Sequence, residues 1–250
     1  AKVPDFCHLP LLFGPDGKKL SKRHGDTSVS SFKERGVLPE TLFNYMSILG
    51  WSPGNDIEIF DKDFAINNFD FKNVLANPAI FDTQKLLWMN GQYIREFDEK
   101  IFNKIAYETI ETSLSRELFS EEIERINLIL SVVQERLETL NDLTGQVKFL
   151  LDEPFNVDKN EWEEVNSKSA QDYLTNIRNE FKTMKNFELD KIEAMMREQL
   201  KKLDLKPKEG FQAARVAITG TKISPPLFES IYALGQSSTI ARIAEKIDNL

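Results

Sequence analysis

The sequence predicts a mainly α-helical chain: a small α/β or irregular N-terminal piece followed by two helical bundles. Three observations lead there. From residue 82 onward the apolar residues recur at helical spacing with few interruptions. Pro154 and Pro207 punctuate that region. Before it, short apolar runs alternate with Gly, Pro, Asn and Asp, which is how short strands and turns read.

Taken in order, His8 to Phe13 is a short apolar run that stops at Gly14-Pro15-Asp16-Gly17. It reads as a strand or extended segment ending in a turn, because Pro15 fixes φ and the glycines accept positive φ. After Thr27 the period becomes helical, with Ser28 or Ser30 able to cap a short helix ending at Gly36. Pro39 opens another helix whose Leu42, Phe43, Met46 and Leu49 form a stripe expected to pack in the core, and Gly50 ends it. Residues 57–79 give no definite elements. Asp82 caps a helix carrying Leu86, Leu87, Trp88 and Met89 toward Gly91.

Further helices are expected over 98–114, over 121–151 with one break near Asn141, and over 168–184, 188–203, 209–219, 225–234 and 238–249. Ser224 ahead of Pro225-Pro226 reads as a capping hydroxyl. No fixed-period repeat or low-complexity tract is present. Domain limits are expected at 1–80, 81–155 and 156–250.

At 250 residues with 41% hydrophobic content, the chain can bury a real core. No apolar run reaches the roughly 18 residues a spanning helix needs, so no membrane partner is expected. The opening Ala1 to Asp5 has no starting methionine and reads as a chain entered midway. One cysteine, Cys7, and two histidines, His8 and His24, give no spaced cluster for zinc, so no metal site is expected. Lys and Arg total 32 against 40 Asp and Glu, a net charge of −8. That excludes coating of nucleic acid by bulk positive charge and leaves local cationic patches as the route to RNA.

The stretch that points to chemistry is Gly17-Lys18-Lys19-Leu20-Ser21-Lys22-Arg23-His24-Gly25. Lys19 and Lys22 are three residues apart, so a tight turn can aim both ammonium groups at one triphosphate while Ser21 donates a hydrogen bond. Alone, such a stretch is more often a solvated lysine-rich turn.

Its context changes that. Lys19-Leu20-Ser21-Lys22-Arg23 resembles the "KMSKS" signature of class I aminoacyl-tRNA synthetases, and Leu9-Pro10-Leu11, Gly14 to Lys18 and Arg23 to Val29 resemble its flanks in the glutamyl enzymes. Gly36-Val37-Leu38-Pro39-Glu40, Asn44-Tyr45, Leu49-Gly50-Trp51-Ser52 and Trp88 to Ile94 resemble the segments that follow. Ala214 to Gly220 and Ser224 to Glu229 resemble the C-terminal signature of bacterial-type glutamyl-tRNA synthetases.

The resemblance implies a stem-contact region followed by two helical anticodon-binding domains, the C-terminal half of a cytoplasmic, monomeric enzyme. It implies Lys22 as the catalytic residue, with Lys19, Ser21, Lys22 and Arg23 binding ATP, and Mg²⁺ arriving with the ATP. The implied partners are tRNA(Glu), with ATP and glutamate held largely by an N-terminal half carrying the family's "HIGH" element. Arg136 and Arg215 are candidate tRNA contacts, although salt-bridging reads as well for each. The alternative is a non-catalytic helical RNA-binding or protein-interaction module.

Overall fold

The computed structural model describes residues 3, 4, 6, 8–21, 28–151 and 155–248. Among them the architecture is mainly α, and the β structure is one short parallel pair, β1 (Leu12–Phe13) with β2 (Ala79–Ile80), Leu12 opposite Ala79. No described helix is long and apolar enough to cross a membrane. The chain divides into two compact units, Ala1–Asp98 with Glu135–Asp142, and Glu99–Gln134 with Leu143–Leu250.

In the first unit, α1 (Val29–Glu34) is capped by Ser28, whose hydroxyl accepts from the Ser31 N–H. Helix α2 (Pro39–Gly50) starts with proline in its first turn, where a missing N–H costs nothing. Helix α3 (Lys62–Asn68) occupies the segment that gave no definite element, and Asp61 caps it. Helix α4 (Thr83–Arg95) is capped by Asp82, as expected, through the N–H groups of Gln84 and Lys85. Phe32, Val37, Tyr45, Leu49, Phe81, Leu86 and Met89 form one buried cluster; Trp51, Phe60 and Ala65 form a second.

The expected stripe on α2 divides. Leu49 is buried, but Phe43 and Met46 are 41% and 44% exposed. The inward face of the helix is Thr41, Tyr45 and Leu49, at i, i+4 and i+8, which leaves 43 and 46 on its flank. There they line an apolar groove of about 590 Å³ with Leu9, Trp51, Ile66, Phe69 and Phe71.

The second unit is helical: α5 (Glu99–Leu114), α6 (Ser120–Asn127), α7 (Leu130–Gln134), α8 (Asp142–Val147), α9 (Lys159–Val165), α10 (Lys168–Thr183), α11 (Leu189–Lys202), α12 (Pro207–Thr219), α13 (Leu227–Leu234) and α14 (Gln236–Asp248). Helix α10 packs against α11, α12 and α14. Buried side chains of these helices include Tyr173, Leu174, Ile177, Phe181, Met196, Val216 and Ile243. Gly210 permits a close approach, since a Cβ there would lie 2.4 Å from Leu200 and 3.1 Å from Tyr173.

Two sequence expectations fail here. The single helix over 121–151 with one break is instead α6, α7, a turn over 135–141, α8 and a short 3₁₀ turn at Lys148–Leu150. Ser224 does not cap α13, whose N-cap is Pro226; its hydroxyl instead accepts from Arg215. In α6, Glu122 does the capping work: fully buried, it accepts from the Phe119 N–H and pairs with Arg116 at 2.7 and 2.8 Å.

Candidate functional site

The described start of the cationic stretch, through Ser21, lies in a tight hairpin of the first unit. Gly14 N–H donates to the Lys18 carbonyl at 2.8 Å, Gly17 N–H to the Gly14 carbonyl at 3.0 Å, and Leu20 N–H to the Leu12 carbonyl at 2.8 Å. Gly17 sits at φ +72°, a turn conformation that L residues rarely adopt. Phe13 forms an antiparallel bridge with Lys19, so the returning segment alternates. Leu20 packs on the core cluster, while Lys19 and Ser21 on either side of it are exposed. Lys18 is tied back to Asp16 by its N–H at 3.0 Å and its ammonium at 3.8 Å.

The structure therefore brings Lys19 and Ser21 together on an anchored edge facing solvent. Lys22 and Arg23, the other two expected ATP contacts, lie outside the described residues. What the edge offers a ligand is cation and hydroxyl, chemistry matched to phosphate oxygens. No group of three or more His, Cys, Asp or Glu side chains that could hold a metal occurs among the described residues.

Arg136 does not lie on a helix. It is exposed in the turn that follows α7, within the 135–142 segment that folds with the first unit. Arg215 lies in α12 of the second unit. Its guanidinium donates to the Ser224 carbonyl at 3.2 Å, to the Ser224 hydroxyl and to the Pro225 carbonyl, holding the 220–226 connection against its own helix.

Arg242, which carried no sequence signal, is another organised cation of the second unit. It donates to the carbonyls of Ile218 and Phe149 at 2.6 and 2.7 Å and lies 3.8 Å from the centre of the Phe155 ring. Burial, and secondarily the like charge of Arg125, pulls its pKa down to about 10, leaving it cationic at neutral pH. Phe149, Phe155, Asn156, Thr219, Ser224 and Arg242 are among the residues lining a small cavity of about 160 Å³. Gly220 closes α12 beside it at φ +89°, where a Cβ would meet the Asn156 carbonyl at 2.5 Å.

Residues 1–88 match the family described as class I tRNA synthetases (E and Q), catalytic domain, and residues 95–247 match the anticodon binding domain family. Among similar curated proteins, a glutamate–tRNA ligase of Caldicellulosiruptor saccharolyticus is 33% identical over 241 residues, covering 96% of this chain and 50% of that protein. One from Corynebacterium diphtheriae is 36% identical over 247 residues, covering 97% and 49%. The fold is that of a solved glutamate–tRNA ligase from Elizabethkingia meningosepticum, with a TM-score of 0.78 at 24% identity over 99% of this chain and 52% of that one. The chain spans about half the length of the curated relatives it matches. With one family covering the cationic hairpin and the other the helical unit, the chain belongs to the glutamate–tRNA ligase family of class I aminoacyl-tRNA synthetases.

Proposed function

We propose that this chain supplies the nucleotide-contacting loop and the tRNA-gripping helices of an enzyme that charges tRNA(Glu) with glutamate. The observation that carries the reading is the pairing, in one chain, of a core-anchored Lys/Ser hairpin edge with a helical region of the anticodon binding domain family. In the longer protein a glutamate carboxylate oxygen attacks the ATP α-phosphate, breaking the bond to the β-phosphate oxygen and releasing pyrophosphate. The tRNA 3′-terminal hydroxyl then attacks the acyl carbon of the glutamyl-adenylate, and AMP leaves. Lys22 and Lys19, with Ser21 and Arg23, offset the negative charge that builds on the departing pyrophosphate.

In this reading residues 1–80 carry the loop and the stem-contact region, and 81–155 and 156–250 are the two anticodon-binding parts. The enzyme works as a cytoplasmic monomer. Arg136 and Arg215 are its candidate RNA contacts, one displayed on a turn and the other bracing the 220–226 connection. An acidic chain fits this role because tRNA is held by shape and a few cations rather than by bulk charge.

The test is fluorescence anisotropy of the chain with a glutamate tRNA transcript and with the same tRNA carrying a substituted anticodon, across a salt series. Tighter binding of the unsubstituted tRNA, with a shallow salt slope, is expected. Equal binding of both removes the anticodon-reading role. Absence of binding to either leaves a protein-interaction module in its place.

A further inference from the structure

Within the first unit, Asn90 joins three stretches of chain. It lies in α4, is fully buried, and satisfies its amide completely: Oδ1 accepts from the Leu38 N–H at 2.8 Å, and Nδ2 donates to the Glu138 carbonyl at 2.7 Å and the Gly36 carbonyl at 3.2 Å. The neighbouring Gly91 gives the Leu137 carbonyl its room, for a Cβ there would stand 2.8 Å from that oxygen. Arg95, one turn on, donates to the Glu135 carbonyl at 3.2 Å, and Asn141 donates to the Glu34 carbonyl at 2.7 Å.

These contacts pin the 135–142 turn at both ends and at its centre, with Leu137 and Thr139 buried. Arg136 is the cation that this pinned turn exposes, and it has no hydrogen-bond or ion-pair partner among the described residues. A long side chain on a loose turn loses much of its binding energy to ordering, whereas a fixed backbone on either side of it removes part of that loss.

We propose that Asn90, with Gly91, is the positioning residue for RNA contact by Arg136: α4 fixes the turn so that the guanidinium meets RNA already placed. The inference rests on reading Arg136 as an RNA contact. Asn90 touches no RNA itself and acts through the Glu138 and Gly36 carbonyls.

The experiment is a double-mutant cycle on the whole chain, reading the dissociation constant for the glutamate tRNA transcript. Asn90→Asp keeps the volume and the acceptor for Leu38 but removes both amide donations. Gly91→Ala perturbs the same turn through the Leu137 carbonyl without touching the amide, and serves where the Asn90→Asp protein does not fold, as judged by circular dichroism at the binding temperature. Arg136→Ala is expected to weaken binding about tenfold in the natural background. In the Asn90→Asp or Gly91→Ala background its effect is expected to shrink to about twofold, because a misplaced side chain has little left to lose. A role in stability alone moves the melting temperature but leaves the Arg136→Ala effect at full size in each background, and that result overturns the proposal. If Arg136→Ala changes nothing in the natural background, the contact reading itself falls, and the proposal with it.

Discussion

The two units solve the same problem, burying backbone without leaving its polar groups unpaired, by different chemistry. In the second unit the long helices satisfy most of their own N–H and C=O groups, side chains such as Glu122 and Arg242 serve helix ends and connections, and the space between helices is filled by apolar stripes such as Tyr173, Leu174, Ile177 and Phe181 of α10. In the first, short helices alternate with extended pieces whose backbone groups face inward, and buried side chains must pair with them. Asn44 accepts from the Phe60 N–H at 3.1 Å and donates to the Glu58 carbonyl at 3.0 Å; Tyr93 donates to the Phe60 carbonyl at 2.7 Å. The second unit therefore leans more on volume, and the first more on side chains that pair buried backbone groups.

The largest effect should come from volume. Phe181→Ala empties a fully buried site beside Phe187 and should cost about 3–5 kcal/mol by chemical denaturation, cavity included. Next is Asn44→Leu, which keeps the size but strands the Phe60 N–H and the Glu58 carbonyl, at a cost of about 2–3 kcal/mol. Its control is Gln199→Leu in the second unit, where among the described residues the buried amide pairs with the Glu180 side chain at 3.0 Å and with no backbone group. Should the Asn44 and Gln199 replacements cost the same, the distinction between the units breaks.

Tyr45→Phe sharpens the comparison further. The Tyr45 hydroxyl accepts from the Asp82 N–H at 2.7 Å and donates to the Asp82 carbonyl at 2.9 Å, so its removal should cost about 1–1.5 kcal/mol at pH 7. Burial raises the Tyr45 pKa to about 12, above the roughly 10 of an unfolded tyrosine. The folded state thus holds its proton longer than the unfolded one. The resulting stability is full below pH ~10 and is lost as pH rises toward 12. Denaturation at stepped pH should show the gap between the natural protein and Tyr45→Phe narrowing across that window. Tyr173 and Tyr93, also raised by burial, act equally in both proteins and cancel.

The same difference decides what could be read from the sequence. The second unit's helices α10 to α14 were legible because a self-satisfied helix leaves a local, periodic trace, and Ser167 or Pro207 marks its start within one turn. The break-up of 121–151 was not, because the turn at 135–141 is held open by Asn90, Arg95 and Glu34, none of them near it in sequence. Asn90 itself was visible only as part of the Trp88 to Ile94 resemblance, with nothing local to show its three long-range partners. The exposure of Phe43 and Met46 was equally hidden, since helical spacing identifies a stripe without saying which neighbour covers it. On the functional side, the cationic loop stood out as a composition, yet only the hairpin bonds and the packing of Leu20 on the core cluster show that Lys19 and Ser21 sit on a fixed edge.

That edge supplies the smallest expected effect on stability, with a functional effect attached. Lys19 is exposed and has no side-chain partner among the described residues, so Lys19→Ala should shift unfolding by no more than about 0.5 kcal/mol. If Lys19 has the proposed nucleotide role, the same change in a full-length glutamate–tRNA ligase carrying this segment should slow glutamate-dependent ATP–pyrophosphate exchange by about tenfold or more. Melting curves and exchange rates on one variant separate the two roles. A large loss of stability would place Lys19 with the hydrogen-bonding side chains of its unit, and unchanged exchange would make the loop an ordinary solvated turn. Lost exchange with an unchanged melting curve is the outcome that the proposed role requires: Leu20 takes the packing, and the exposed lysine beside it takes no part in the core.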